Sequence, residues 1–178
     1  MKRLGLTAVI MVAMAAGCDR SEPAASSSGP HNTSSVTVPE TLILASAPEG
    51  AQDLAAVKES AKPGDQVTIR GVIGGREEPL AENRAVFMLI DPSVTTCDRM
   101  PGDSCKTPWD ACCEDPDLIK QKSATVQVVD AEGQPLKKGL SGVGGIAPNK
   151  PIIVKGVVRE GSDAQNLVVD ATGIHVQG

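Results

Sequence analysis

The sequence predicts a mainly β protein in which five strands close a small barrel, with a short helix ahead of the first strand. Five segments rich in Val and Ile carry this prediction, and most of them are bounded by Gly, Pro or Asp. No long helical pattern separates these segments. A chain of 178 residues is long enough for one domain of about 100–150 residues with extensions at its ends.

The predicted elements follow in a simple order. A helix is expected over about residues 51–61, where Leu54 and Val57 recur among alanines, and Pro63-Gly64 ends it. In the last strand the apolar residues change parity, which a one-residue bulge near Thr172-Gly173 would reconcile. The five strands are predicted at residues 66–73, 85–90, 124–129, 152–158 and 167–176.

This layout resembles an OB-fold. The resemblance begins with the helix and the strand from Gly64 to Ile73, continues through the strand at 85–91, and covers about residues 50–178. Bacterial OB-fold families that are exported to the periplasm share the helix before the first strand. In OB domains a glycine in that strand lets it curl into both halves of the barrel, and Gly71 or Gly74 could serve. The resemblance implies an OB-like barrel, with a β-sandwich as the alternative.

The N-terminus has the three-part layout of an export signal. Lys2 and Arg3 precede a run of thirteen uncharged residues, which is too short for a spanning helix. The sequence Ala15-Ala16-Gly17-Cys18 resembles the lipobox of bacterial lipoproteins. That resemblance implies removal of residues 1–17 and lipidation of Cys18, which would anchor the protein on a membrane of the cell envelope. An ordinary secretory signal is the alternative.

The mature chain is predicted to have two parts. Residues 18–48 are expected to be the lipidated cysteine and a flexible tether rich in Ser and Pro, because this stretch has few apolar residues to bury. Residues 49–178 are expected to form the barrel domain. The mature chain has 15 basic and 22 acidic side chains, a net charge of −7. This charge and the near-absence of aromatic residues argue against nucleic-acid binding.

A long segment with four cysteines interrupts the barrel between the second and third strands. This cysteine loop, residues 92–123, holds Cys97, Cys105, Cys112 and Cys113, an even number in an exported protein. The leading interpretation is two disulfides, each joining Cys112 or Cys113 to one of the other two, with the pairing left open. A disulfide between the adjacent Cys112 and Cys113 would require a strained ring. Trp109 is expected to cover the disulfides.

The same four cysteines permit two other interpretations. They could ligate a soft metal ion, although their spacing lacks the paired two-to-four-residue intervals of zinc modules. They could also act as redox thiols, although there is no Cys-x-x-Cys motif. The Thr107-Pro108-Trp109-Asp110-Ala111-Cys112-Cys113 segment resembles a motif of planctomycete-type lipoproteins without a known activity. That resemblance supports a family and supplies no function.

The sequence contains no recognisable catalytic constellation. It has two His residues, no phosphate loop and no nucleophile triad, so we expect a non-enzymatic protein without a cofactor. The function that the sequence favours is a membrane-anchored envelope lipoprotein, facing the periplasm or the exterior, that binds an envelope protein, a peptide or a glycan. The alternative is a metal-handling or thiol-redox lipoprotein that uses the Cys97–Cys113 segment.

Overall fold

Six strands form one sheet that closes on itself. The structure is a computed structural model that describes residues 37–102 and 104–178, all within the unit Ser35–Gly178. The strands are β1 (Gln52–Asp53), β2 (Gln66–Ile73), β3 (Val86–Ile90), β4 (Ser123–Gln127), β5 (Pro151–Val158) and β6 (Val168–Val176). The helices are α1 (Leu54–Ser60) and α2 (Pro116–Gln121), and 3₁₀ turns lie at Glu40–Leu42, Cys97–Arg99 and Val143–Gly145. Among these described helices, none has the length and apolar character needed to cross a membrane.

The five longer strands make the closed barrel. Their order is β2-β3-β4-β6-β5, and β5 pairs with β2 to close the ring. β4 and β6 run parallel, whereas the other four pairings of the ring are antiparallel. The two-residue β1 adds a parallel edge to β2. The predicted mainly β, OB-like barrel with a short helix before it is confirmed, and one closed sheet excludes the sandwich.

The first barrel strand is shared by both sides of the barrel. β2 pairs with β5 from Gln66 to Val72 and with β3 at Val72 and Ile73. Gly71 lies next to this change of partner, and a Cβ there would come within 2.7 Å of the Ile90 carbonyl oxygen. Glycine is therefore required where two strands approach closely.

The predicted irregularity in the last strand is also present. In the pairing of β5 with β6, Lys155 faces Gly173 and Gly156 faces Ala171, so Thr172 has no partner in the ladder. This one-residue bulge turns Ile174 back into the core after Val169, which has the opposite parity.

The core fills the barrel and extends under residues that precede α1. Val38 and Leu42 are buried with the barrel side chains, and the Leu44 N–H donates to the Ile174 carbonyl at 2.8 Å. The packed chain therefore includes residues on the N-terminal side of position 49, where the sequence placed the start of the domain. The largest fully buried side chains include Leu54, Ile69, Ile73, Phe87, Leu89, Leu140, Ile146, Ile152 and Ile174.

Candidate metal centre

The cysteine loop begins directly after a buried carboxylate at the end of β3. Asp91 follows β3 and is 4 % exposed. Its Oδ1 accepts hydrogen bonds from Ser93 N at 2.9 Å and Ser93 Oγ at 2.6 Å, and its Oδ2 accepts from Ala55 N at 3.0 Å. Ala55 is in the first turn of α1, where backbone N–H groups lack partners within the helix. One side chain thus joins the start of the loop to α1.

The loop returns to the barrel through α2. Asp115 caps this helix by accepting hydrogen bonds from Asp117 N and Leu118 N, and Pro116 takes the first helical position. At its other end the buried Lys58 ammonium group donates to the carbonyl oxygens of Lys120 and Ser123. Burial is the largest influence on Lys58 and lowers the pKa of its ammonium group.

The middle of the loop is held against the barrel on two sides. The Trp109 indole N–H donates to the Glu77 carbonyl at 2.9 Å, and the Trp109 carbonyl accepts from Gly75 N at 2.8 Å. On the other side the Asn149 amide donates to Asp98 Oδ2 at 2.9 Å. Trp109 therefore anchors the loop to the segment between β2 and β3, a role that the sequence did not predict.

Backbone hydrogen bonds inside the loop bring distant cysteines together. Cys97 N donates to the Asp110 carbonyl at 2.7 Å, and Asp98 N donates to the Pro108 carbonyl at 3.0 Å. These bonds place the 3₁₀ turn Cys97–Arg99 beside the segment that leads to Cys112. A separation of fifteen residues in sequence thus becomes a contact between two sulfur atoms.

Three of the four cysteines form a cluster that we call the thiol triangle: Cys97, Cys105 and Cys112. Their sulfur atoms all lie within 4.8 Å of one another. The Sγ of Cys112 is 3.5 Å from that of Cys97 and 3.9 Å from that of Cys105. Cys113 is outside the triangle, although its Sγ is 3.9 Å from that of Cys112. Among the described residues this is the single group of three or more His, Cys, Asp or Glu side chains placed to hold a metal ion.

The two disulfides that the sequence favoured are not formed. All four cysteines of the loop are free thiols. The Sγ of Cys112 lies 3.5 Å from that of Cys97 and 3.9 Å from that of Cys105, and both distances are far longer than a disulfide bond of about 2.05 Å. The arrangement also differs from two pairs, because Cys112 lies beside both Cys97 and Cys105 while Cys113 is left out of the triangle.

Two thiols of the triangle, those of Cys97 and Cys112, have raised pKa values. Burial is the main cause that raises the pKa of the Cys97 thiol, which is 1 % exposed. Hydrogen bonds among the thiols, first with Cys97 and then with Cys113 and Cys105, raise the pKa of Cys112 to about 12. These groups are therefore protonated thiols at neutral pH.

The predicted lipidation site, Cys18, lies outside the described residues. His175 is on β6, where its Nδ1 pairs with the Leu44 carbonyl oxygen at 3.0 Å. Since a carbonyl oxygen can only accept, Nδ1 carries the proton.

No family profile matches the chain, and neither does any curated protein or any solved structure.

Proposed function

We propose that this protein is a cell-envelope lipoprotein that binds one soft metal ion, Cu(I), at the thiol triangle. The proposal adopts the metal-handling alternative rather than the partner-binding function that the sequence favoured. The observation that carries it is the convergence of three unbonded sulfur atoms from positions 97, 105 and 112. Thiolate sulfur is a soft ligand and selects soft ions such as Cu(I).

The size of the triangle fits a metal ion bound by three sulfur atoms. With two sides of 3.5 and 3.9 Å and a third of at most 4.8 Å, a point equidistant from the sulfur atoms lies about 2.4 Å or less from each, near the usual metal–sulfur length of about 2.3 Å. An ion could therefore sit in the plane of the three sulfur atoms with little movement of the side chains. Cu(I) accepts three sulfur ligands in a plane, whereas Zn²⁺ is almost always four-coordinate and would need a water molecule or another ligand beside the three sulfur atoms.

The electrostatics favour a metal ion over thiol-redox catalysis. A redox cysteine needs a lowered pKa, because the thiolate is the nucleophile. In the triangle the pKa values of Cys97 and Cys112 are raised instead. A bound cation would favour the thiolate over the protonated thiol, since it neutralises the negative charge that neighbouring thiolates would otherwise place close together.

The test is an anaerobic titration of the reduced full-length protein with Cu(I) against a chromogenic chelator. We expect one ion per chain, and a loss of affinity of about 100-fold or more in Cys97→Ser and Cys112→Ser. Cys113→Ser is the matched control, because Cys113 is exposed and adjacent to Cys112 but outside the triangle. It should keep the parental affinity. Circular dichroism checks that each variant is folded.

Two results would contradict the copper site. The first is the failure of the reduced protein to bind Cu(I) in a 1:1 ratio. The second is an equal loss of affinity in Cys113→Ser and Cys112→Ser, which would mean that a different sulfur set binds. A parallel titration with Zn²⁺ that gives the tighter complex would replace Cu(I) as the ion.

The envelope location rests on the lipobox-like sequence before Cys18. Intact mass spectrometry of the protein purified from its own membrane tests this part of the proposal. We expect a chain that starts at Cys18 with added acyl mass and with the four loop cysteines reduced or metal-bound. A mass lower by four hydrogens at the loop would support two disulfides instead, and an intact residue 1–17 segment would contradict lipidation.

A cleft on the barrel supports a second candidate function, the binding of an acidic peptide. The cleft has a volume of about 310 Å³ and includes Met88 and Thr125 of β3 and β4, with Arg76 and Lys120 among its lining residues. Two basic side chains beside hydroxyl groups suit carboxylates. Titration with a short acidic peptide should shift the backbone NMR signals of Met88 and Thr125. Arg76→Glu should abolish these shifts, and shifts scattered over the whole surface would contradict the proposal.

A further inference from the structure

The three sulfur atoms of the thiol triangle differ in their access to solvent. Cys97 is 1 % exposed and its backbone N–H is held by the Asp110 carbonyl, whereas Cys105 and Cys112 are exposed. An ion in the triangle would be bound from the protein side by the sulfur atom of Cys97. Ligands from solvent would reach it past Cys105 and Cys112.

The described residues supply three ligands to an ion in this place. Cys113 does not belong to the triangle, and within the described part of the chain no imidazole or carboxylate joins the three thiols. A further ligand would therefore come from solvent, on the side where Cys105 and Cys112 are exposed. This arrangement differs from a closed structural site, in which four protein ligands surround the metal.

We propose that the protein passes its ion to a thiol-bearing acceptor by ligand exchange, an inference that rests on the proposed copper site. The acceptor sulfur forms a bond to copper while the bond between copper and Cys105 Sγ breaks. The proton that leaves the acceptor thiol is taken up by the departing Cys105 sulfur. Copper remains Cu(I) throughout, and no electron is transferred. A second acceptor sulfur displaces Cys112 in the same way. The bond between copper and Cys97 Sγ then breaks and Cys97 takes up a proton from water, which leaves Cu(I) bound by the two acceptor sulfur atoms.

The charge of the loop indicates the kind of acceptor. Between Cys97 and Asp117 the sequence has six acidic and two basic residues. Cys105 and Cys112 lie within this segment, close in sequence to Asp110, Glu114 and Asp115. An acceptor whose thiols are flanked by Lys or Arg would be attracted to this segment, and the attraction would weaken with salt.

The experiment uses full-length protein loaded anaerobically with one equivalent of Cu(I). Two synthetic acceptor peptides carry the same pair of cysteines, flanked by lysines in one and by glutamates in the other. Quenched-flow separation measures the copper left on the protein over time. We expect the initial rate to rise about ten-fold when the peptide concentration rises ten-fold, and the lysine peptide to react about ten-fold faster at low salt. Cys113→Ser, the matched control, should behave like the parent.

The outcomes separate this inference from the proposed function. If the protein takes up no Cu(I) before the peptide is added, the copper site itself is wrong. If it binds one ion but the rate of loss does not depend on peptide concentration, the site releases copper by dissociation and the exchange proposal is wrong. Equal rates for the two peptides at low salt would overturn the choice of a basic acceptor.

Discussion

Replacing Asp91 with asparagine should lower the free energy of unfolding by about 2–3 kcal/mol. The substitution keeps the shape of the side chain but exchanges one acceptor oxygen for an NH₂ group. Oδ1 accepts two hydrogen bonds from Ser93 and Oδ2 accepts one from Ala55 N, so the amide loses least when its nitrogen takes the Oδ2 position. The NH₂ group then faces the Ala55 N–H, and one charge-assisted bond becomes an unfavourable contact between two donors.

The pH dependence gives this prediction a second signature. Burial acts to raise the pKa of the Asp91 carboxyl, but the hydrogen bonds from Ser93 and Ala55 outweigh it and hold the pKa below its ordinary value of 3.8. A lowered folded-state pKa means that the stabilisation is complete above about pH 4 and is lost as the pH falls through the folded-state pKa. The difference between parent and variant should therefore shrink below pH 4.

The assay is urea unfolding of the reduced protein, followed by circular dichroism at several pH values. Asp65→Asn is the matched control, because Asp65 is an exposed carboxylate that accepts one backbone hydrogen bond, from Lys62 N at 2.8 Å. We expect it to cost less than about 1 kcal/mol. A loss below about 0.5 kcal/mol for Asp91→Asn, or a loss that is the same at pH 3 and pH 7, would refute the reasoning.

Three further predictions concern the barrel and the thiol triangle. Gly71→Ala should reduce the free energy of unfolding by about 1–3 kcal/mol in urea titrations, because its Cβ would lie 2.7 Å from the Ile90 carbonyl oxygen; an unchanged midpoint would contradict this. Asn149→Gly removes the hydrogen bond to Asp98 and should weaken Cu(I) binding about ten-fold. It should not lower thermal stability, because the φ of 63° at this residue suits glycine. Equal affinity would show that this contact does not position the loop. Cu(I) affinity should increase steeply from pH 5 to pH 8 in chelator competition, because the pKa values of Cys97 and Cys112 lie above the ordinary value of 9.0 and each bound sulfur must release its proton; a flat profile would contradict thiolate ligation.

The fold was accessible from the sequence because its determinants are local. Each barrel strand is a run of β-branched residues with turn-forming neighbours, and these runs lie within two residues of the observed strands. The bulge at Thr172 was visible as a change of parity in the apolar pattern, since a slip of one residue exposes the wrong face of a strand. The predicted helix before the first strand began about three residues too early, because the exact boundary of a helix depends on its cap.

The packing of the N-terminal segment was not accessible in the same way. Residues 36–44 show a weak β pattern interrupted by Pro39, and they were placed with the tether. In the structure Val38 and Leu42 are buried, while Leu44 covers Gly173 of β6. Their burial depends on contacts with barrel side chains that are far away in sequence and come together only when the barrel closes.

By itself, the sequence determined that this chain is built on a five-stranded barrel and that a long loop with four cysteines leaves it after the second barrel strand. Only the tertiary structure decided which sulfur atoms meet. Cys97 and Cys112 become neighbours because backbone hydrogen bonds to Asp110 and Pro108 fold the loop on itself, and Trp109 and Asn149 hold it against the barrel. Spacing along the chain limits what a loop can do, but contacts between distant residues select the thiol triangle from the arrangements that the spacing allows.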